Sequence, residues 1–150
     1  MKQWVPHVTV ACVIEQDGKY LMVEERDKFS GKMVFNQPAG HLEEGESLAD
    51  AALRETLEET GWRVKLTGVL SVALHTASQT GITYCRTTFL AEPLESVENA
   101  VLDPDIHAVH WLDYESIVAR SARMRSPLAL AVIERYRQGI AHPLDLLQHA

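Results

Sequence analysis

The sequence predicts a mixed α/β sandwich, and three observations carry that expectation. Apolar, β-branched stretches of strand length lie on both sides of one acidic helical segment. Ser47 and Gly61 bracket that segment as start and stop, and Ser126-Pro127 marks the start of a last helix. The order is β-rich, helix, β-rich, helices, which fits helices laid on a mixed sheet better than an alternating parallel one.

The elements follow in chain order. Residues 5–24 read as two strands joined at Asp17-Gly18, a dipeptide that tolerates the positive φ angles of a tight hairpin. Residues 33–38 form a short extended piece, because Pro38 biases Gln37 away from helix. A glycine-containing loop over 40–46 leads to Ser47, whose hydroxyl can cap a helix reaching about Thr60, with Gly61 as its stop. Residues 64–74 and 82–91 are apolar and β-branched enough for two further strands, and 106–112 for another. Asp113 is placed to cap a short helix through Ala119, and Ser126-Pro127 opens a final helix that ends before Gly139. No repeat, low-complexity tract or linker interrupts the chain, so residues 1–150 are expected to form one domain.

Composition narrows the function classes. With 46% hydrophobic and 23% charged residues, the chain has the balance of an ordinary globular protein. The apolar stretch 8–14 is far too short to span a bilayer and lacks a cleavage-like flank, so a cytoplasmic location is expected. Cys12 and Cys85 each lie in an apolar, strand-like segment and read as buried free thiols; without a CxxC pair, a thiolate zinc site is not expected. A formal net charge of −7 argues against binding a nucleic acid polymer or an anionic membrane. It leaves room for a small phosphorylated substrate, provided cations stand between substrate and protein.

The acids of the central helix carry the chemistry. Glu55, Glu58 and Glu59 stand at i, i+3 and i+4, which places them on one helical face. Ala49, Leu53, Thr56, Leu57 and Thr60 fall on the other and are expected to pack on a sheet. Three like charges within a turn repel, so a cation is expected there. Hard divalent ions such as Mg²⁺ prefer oxygen donors, bridge phosphate oxygens and acidify water. Arg54, beside this face, can pair with Glu46 or Glu58 and hold the carboxylates in place. The alternative is a solvated acidic face loosely paired with lysines.

The full spacing is more specific. Gly40, five residues, Glu46, seven residues, Arg54-Glu55, two residues, Glu58-Glu59, one residue, Gly61 and an apolar Trp62 resemble the Nudix box. The one departure is Thr56 where that pattern has an apolar residue; it lies on the expected packing face and implies a small packing effect. The resemblance implies a Nudix α/β/α sandwich with a mixed β-sheet. It implies Arg54, Glu55, Glu58 and Glu59 as catalytic residues, with the three glutamates and the Ala39 carbonyl as metal ligands. Mg²⁺ is the implied cofactor, with Mn²⁺ as the alternative, and one glutamate would act through water as the base. Asp105, six residues before Trp111, is the candidate for a further metal ligand from outside the box, its alternative being a turn acid in Asp103-Pro104-Asp105.

Segments outside the box extend the resemblance. Pro6 to Val13, Asn36 to Glu43 and Arg125-Ser126-Pro127-Leu128 resemble the NudJ-type phosphatases of that family. This implies hydrolysis of a phosphoanhydride in nucleoside tri- and diphosphates or hydroxymethylpyrimidine diphosphate, releasing orthophosphate. The alternatives are another Nudix specificity, for oxidised nucleotides or a nucleotide sugar, and a nucleotide-sensing module without turnover. Arg86 could reach a phosphate from a strand, or be a surface strand arginine. Arg123 and Arg125 precede a helix start at Ser126, where cation, hydroxyl and free backbone N–H groups coincide as an anion site. Asn36 and Gln37 could hydrogen-bond a base, or only satisfy nearby backbone. His7 and His41 could line the pocket; His107 and His110, three apart in a strand, point to opposite faces. Trp4, Trp62 and Trp111 are expected in core or rim packing. A monomer is expected, with a dimer as the alternative.

Overall fold

A computed structural model describes residues 2–150. The chain runs β1 (His7–Gln16), β2 (Lys19–Arg26), β3 (Met33–Asn36), β4 (Ala39–His41), α1 (Leu48–Thr60), β5 (Trp62–Thr76), β6 (Thr83–Ser96), β7 (Ile106–Asp113), α2 (Tyr114–Ala119) and α3 (Pro127–Arg137), with short 3₁₀ turns at Ser121–Arg123 and Leu144–Leu146. Seven strands make a mixed sheet along the path β3-β2-β1-β6-β5, with β4 on β1 and β7 on β2. β1 and β6 are parallel from His7↔Tyr84 to Ile14↔Ala91, and the remaining named pairs are antiparallel.

The β1–β2 hairpin decides where a cleft can form. Asp17 (φ 53°) and Gly18 (φ 79°) take the two left-handed positions that a two-residue turn needs. The strands then pair only at Glu15↔Tyr20 and Gln16↔Lys19 before parting. β1 turns to β4 and β6, β2 to β3 and β7, and Gln37-Pro38 crosses the opening between β3 and β4. The Pro38 carbonyl accepts from Cys12 N (3.1 Å), tying that crossing to β1.

Period-two alternation along β1 builds two cores. Val10, Cys12 and Ile14 point to one face and pack with Ala51 and Ala52 of α1, Val69 and Phe89. Val13 points to the other, where Tyr20, Met22, Leu70, Ile117, Val132 and Ile133 close under α2 and α3. The result is an α/β/α sandwich. Its helix ends follow the sequence signals: Ser47 Oγ accepts from Asp50 N (3.1 Å), Asp113 caps α2 through Ser116 N (2.8 Å), and Ser126 caps α3 with Pro127 at its first turn.

Four expectations are corrected. Gly40 and His41 belong to β4, not to a loop, because Thr9 and Val10 of β1 pair with them. β5 and β6 extend beyond 64–74 and 82–91, since cross-strand bonds from Trp62↔Ser96 to Thr76↔Thr83 carry polar residues along with the apolar ones. On α1 the buried residues are Ala51, Ala52, Thr56, Glu59 and Thr60, while Leu53 is 37% exposed. Small Ala51 and Ala52 let the helix approach β1 closely, rotating Leu53 outward and Glu59 inward. Trp4 is 66% exposed, whereas Trp62 and Trp111 meet edge to face at 5.6 Å and pack against the α1 core.

Gly61 ends α1 at φ 74°, with its N–H on the Leu57 carbonyl (2.9 Å). A Cβ there would meet Ala100 Cβ at 3.1 Å. Gly61→Ala is therefore expected to lower stability by about 1–2 kcal/mol through left-handed strain. A denaturant titration checks it: the midpoint should fall with an unchanged slope, and an unchanged midpoint would show that the cap does not constrain α1.

Candidate active site

The site forms where α1 lies across the edge of β4. Gly40 makes this approach feasible: a Cβ at that position would sit 2.1 Å from the Glu55 carboxyl carbon. One residue earlier, Ala39 N donates to Glu59 Oε1 (2.8 Å), so the outer edge of β4 grips the helix through its own unpaired backbone.

Arg54 organises the remaining acids. Its Nε and Nη2 form a two-pronged pair with Glu46 (3.0 and 2.6 Å). Nη1 reaches Glu55 (2.8 Å) and Glu58 (3.2 Å), and Nη2 also donates to the His41 carbonyl (3.0 Å). The pairings expected for Arg54 with Glu46 and Glu58 are both present. Arg54 holds the Glu46 carboxyl below the usual carboxylate range, while the arginine is itself pushed up by that bond.

Deeper in, negative charge accumulates. Glu59 is only 6% exposed, and burial, then the charges of Glu25, Glu55 and Asp103, push its carboxyl up to about 9 against the Ala39 hydrogen bond. Burial likewise raises Glu55, with Arg54 opposing, and Glu25, with Arg125 opposing. Glu25 was not among the sequence candidates, although a signal existed. It lies just beyond an apolar run, Tyr20 to Val23, that is buried on both faces of β2, where an acid has no packing reason to be.

The acids outside the box divide. Asp105 pairs with Lys28 (2.9 Å) at the surface. Asp103 bonds through its N–H to the Glu58 carbonyl (2.9 Å), and its charge bears on Glu25, Glu55 and Glu59. Asp105 acts on Glu25 behind Asp103.

A cleft of about 650 Å³ opens beside this cluster, and Glu25, Ala39, Gly40, Arg86, Arg125 and Ser126 are among the residues that line it. The two arginines differ in their partners. Arg125 gives Nε to Glu25 (2.6 Å) and leans toward Asp27 (3.9 Å), so its charge is matched. Arg86, 6% exposed, has only neutral partners: Nη2 donates to Asn36 Oδ1 and Gln37 Oε1, each 3.0 Å away. Its Nη1 is buried without a partner, and burial lowers the guanidinium to about 10. Gln37 Nε2 donates to the Ala129 carbonyl (2.5 Å), fixing the amide that faces Arg86. Asn36 and Gln37 thus present their carbonyl oxygens to an arginine. Ser126 Oγ accepts from Leu128 N (3.2 Å) at the start of α3. Arg123 and His110 both hold Glu24 (3.1 and 3.0 Å).

The donor chemistry fits a hard divalent ion. Glu25, Glu55, Glu58, Glu59 and Asp103 are all oxygen donors, and Arg54 and Arg125 answer only part of their charge. As the side chains stand, no three ligating groups cluster for an ion among the described residues: Arg54 draws Glu55 and Glu58 together, and Ala39 N–H draws Glu59.

Comparison with known proteins gives this geometry a family. The profile of the NUDIX domain matches residues 5–132. Phosphatase NudJ of Escherichia coli is 37% identical over 142 residues, spanning 95% of this chain and 90% of that protein, and the NudJ of Shigella sonnei matches to the same extent. A NUDIX hydrolase from Nitrosomonas europaea superposes with a TM-score of 0.94 at 42% identity, over 97% of this chain and 98% of its own. A MutT NUDIX hydrolase from Burkholderia pseudomallei, at 23% identity and a TM-score of 0.66 over 91% of this chain and 100% of its own, shares the fold. With the box residues gathered on α1 and β4, and with these relatives spanning nearly the whole chain, the protein belongs to the Nudix hydrolase family, enzymes that cleave phosphoanhydride bonds in small phosphorylated compounds.

Proposed function

We propose that this enzyme removes the terminal phosphoryl group of nucleoside tri- and diphosphates and of hydroxymethylpyrimidine diphosphate, releasing orthophosphate. One observation carries the reading: Glu25 of the buried carboxylate cluster, the β4 backbone that holds Glu59, and an arginine that no acid neutralises all meet at one cleft. The whole-length likeness to proteins named phosphatase NudJ supports the orthophosphate product. The enzyme is read as a single domain over residues 1–150, a monomer working in the cytoplasm; no helix of the described residues is long and apolar enough to cross a membrane.

Nudix hydrolases generally depend on a divalent metal, and here Glu55, Glu58, Glu59 and the Ala39 carbonyl would hold Mg²⁺ or Mn²⁺, with Asp105 or the better placed Asp103 as an outer acid. That ion would offset phosphate charge and acidify the attacking water. The chain's own groups do the rest. Arg54 keeps Glu46, Glu55 and Glu58 in register on one side of β4. Glu59 Oε1 is held on Ala39 N, and one of the three helix glutamates would take the proton of the water. Arg86 holds a substrate phosphate with its free Nη1, while Arg125 and Ser126 close the far wall and Asn36 and Gln37 orient Arg86.

Two expected outcomes test this. Phosphorus NMR of a first turnover in ¹⁸O-labelled water should show the label in orthophosphate, with the nucleoside diphosphate as the partner product of a triphosphate. Pyrophosphate as the main initial product would point to another Nudix specificity, and binding without turnover to a sensing module.

Glu59→Gln should lower turnover by orders of magnitude and yet stabilise the metal-free protein above neutral pH. The sign follows from the raised carboxyl: the folded state holds the proton more tightly than the unfolded chain, so the wild type loses stability as pH rises from 4.5 toward about 9. Glutamine has no such loss. Thermal unfolding in chelator at pH 5 and pH 9 should show the variant's advantage only at the higher value; near wild-type turnover in a folded variant would remove the carboxylate face as the reacting centre.

A further inference from the structure

The register of the sheet builds a second feature into the same cleft. Thr9 pairs with His41 on one side and Arg86 on the other, and Arg86 with Ala73. Two residues along, His7 pairs with Tyr84 and Tyr84 with His75. Positions two apart share a face, so the His7–Tyr84–His75 row stands on the Arg86 side of the sheet, about 7 Å further along by strand rise. His41, His75, Tyr84 and Arg86 all line the cleft.

The rings support one another rather than the core. His7 meets His41 and Tyr84 edge to face, with centroids at 5.1 and 5.6 Å, and His41 meets Tyr84 at 6.2 Å. His7 Nδ1 and His41 Nε2 are 3.0 Å apart, so one donates to the other and locks both orientations. His7 and His41 are nonetheless exposed, and neither core cluster includes any of the three. The rings stand at 61–76° to one another, so they form a rigid aromatic corner against which one planar ring can stack or meet edge to face, and none is part of either core.

We infer that the wall formed by His7, His41 and Tyr84 is the subsite for the planar nitrogen heterocycle of the substrate, and that Arg86 beside it takes the phosphate nearest that ring. This rests on the phosphohydrolase reading above and deepens it. Arg86 Nη1 is buried and unpartnered, and the partners of Nη2 are neutral amide oxygens, so the charge of the guanidinium is left for an anion. Ala39, which holds Glu59, pairs with Ala11, two positions beyond the Thr9–Arg86 pair and four beyond the His7–Tyr84 pair. A ring on the wall and its adjoining phosphate on Arg86 leave the outermost phosphoryl group facing the carboxylates. The organic end is thereby held away from the reacting end, which is the arrangement that releases orthophosphate and retains the shortened phosphate ester.

The test is made on the folded protein in chelator, without turnover, so that its outcome is independent of which product the enzyme forms. A pyrimidine nucleoside monophosphate should shift the imidazole proton resonances of His7 and His41 and bind about tenfold more tightly than inorganic phosphate. Tyr84→Leu should abolish that ring advantage while Tyr84→Phe keeps it, and Arg86→Gln should weaken both ligands. Equal loss of both ligands in Tyr84→Leu would mean that the tyrosine only supports the sheet. Failure of the wild type to bind the nucleoside monophosphate in chelator, or binding without movement of the imidazole resonances, would also overturn the assignment, whatever the variants do.

Discussion

Burial of carboxylates, with their mutual repulsion added to it, is the constraint around which this molecule is arranged. Glu25, Glu55 and Glu59 converge from β2 and α1 into a region where burial alone favours their neutral forms. Removing such groups from water is costly unless each finds a partner. The partners are specific: Arg54 on Glu55, Arg125 on Glu25, and a single backbone N–H on Glu59. Gly40 completes the arrangement by having no side chain where the Glu55 carboxyl must lie. The weakest of these supports is the one on Glu59, which carries the most strongly raised carboxyl.

Arginine pairing then determines what remains available for a ligand. Arg54 is consumed by the box acids, Arg123 by Glu24, and Arg125 by Glu25. Arg86 alone among those lining or flanking the cleft meets only amide oxygens, held in place by the first turn of α3 through Gln37. A cation kept buried in this way contributes less to stability than a matched one, and its unpartnered Nη1 is a reason for an anionic substrate to settle there. Arg125 lies among the acids on Glu25, so the cationic charge left for a ligand in the cleft is that of Arg86.

The framework places these groups through pairings on both sides of β1. β1 contributes to both cores through its alternating side chains, and pairs with β6 from His7 to Ile14 and with β4 from Thr9 to Ala11. β2 leaves β1 immediately after the hairpin, so the opening between them is fixed by the two-residue turn at Asp17-Gly18 and by the Cys12–Pro38 bond. α1 is set at its ends by Ser47 and Gly61 and at its middle by Ala51 and Ala52.

What the sequence determined by itself was local. Caps at Ser47, Asp113 and Ser126, the stop at Gly61 and the hairpin at Asp17-Gly18 act over a few residues, and each was legible from residue type and spacing. The common face of Glu55, Glu58 and Glu59 follows from helical pitch, and their pairing with Arg54 from adjacency. Tertiary structure decided everything that depends on residues distant in the chain. Glu25 joins the acids because β2 lies beside the carboxylate end of α1, and Arg125, 100 residues later, is drawn to it rather than left free. Arg86 is buried because β6 is an inner strand, 50 residues from the Asn36 amide that receives it. Gly40 is a strand residue because β1 recruits it, and Leu53 faces outward because smaller alanines bring α1 closer to the sheet. Short-range geometry is written in neighbouring residues, whereas the balance of buried charge is a sum over every group that folding brings near, and no window of sequence contains that sum.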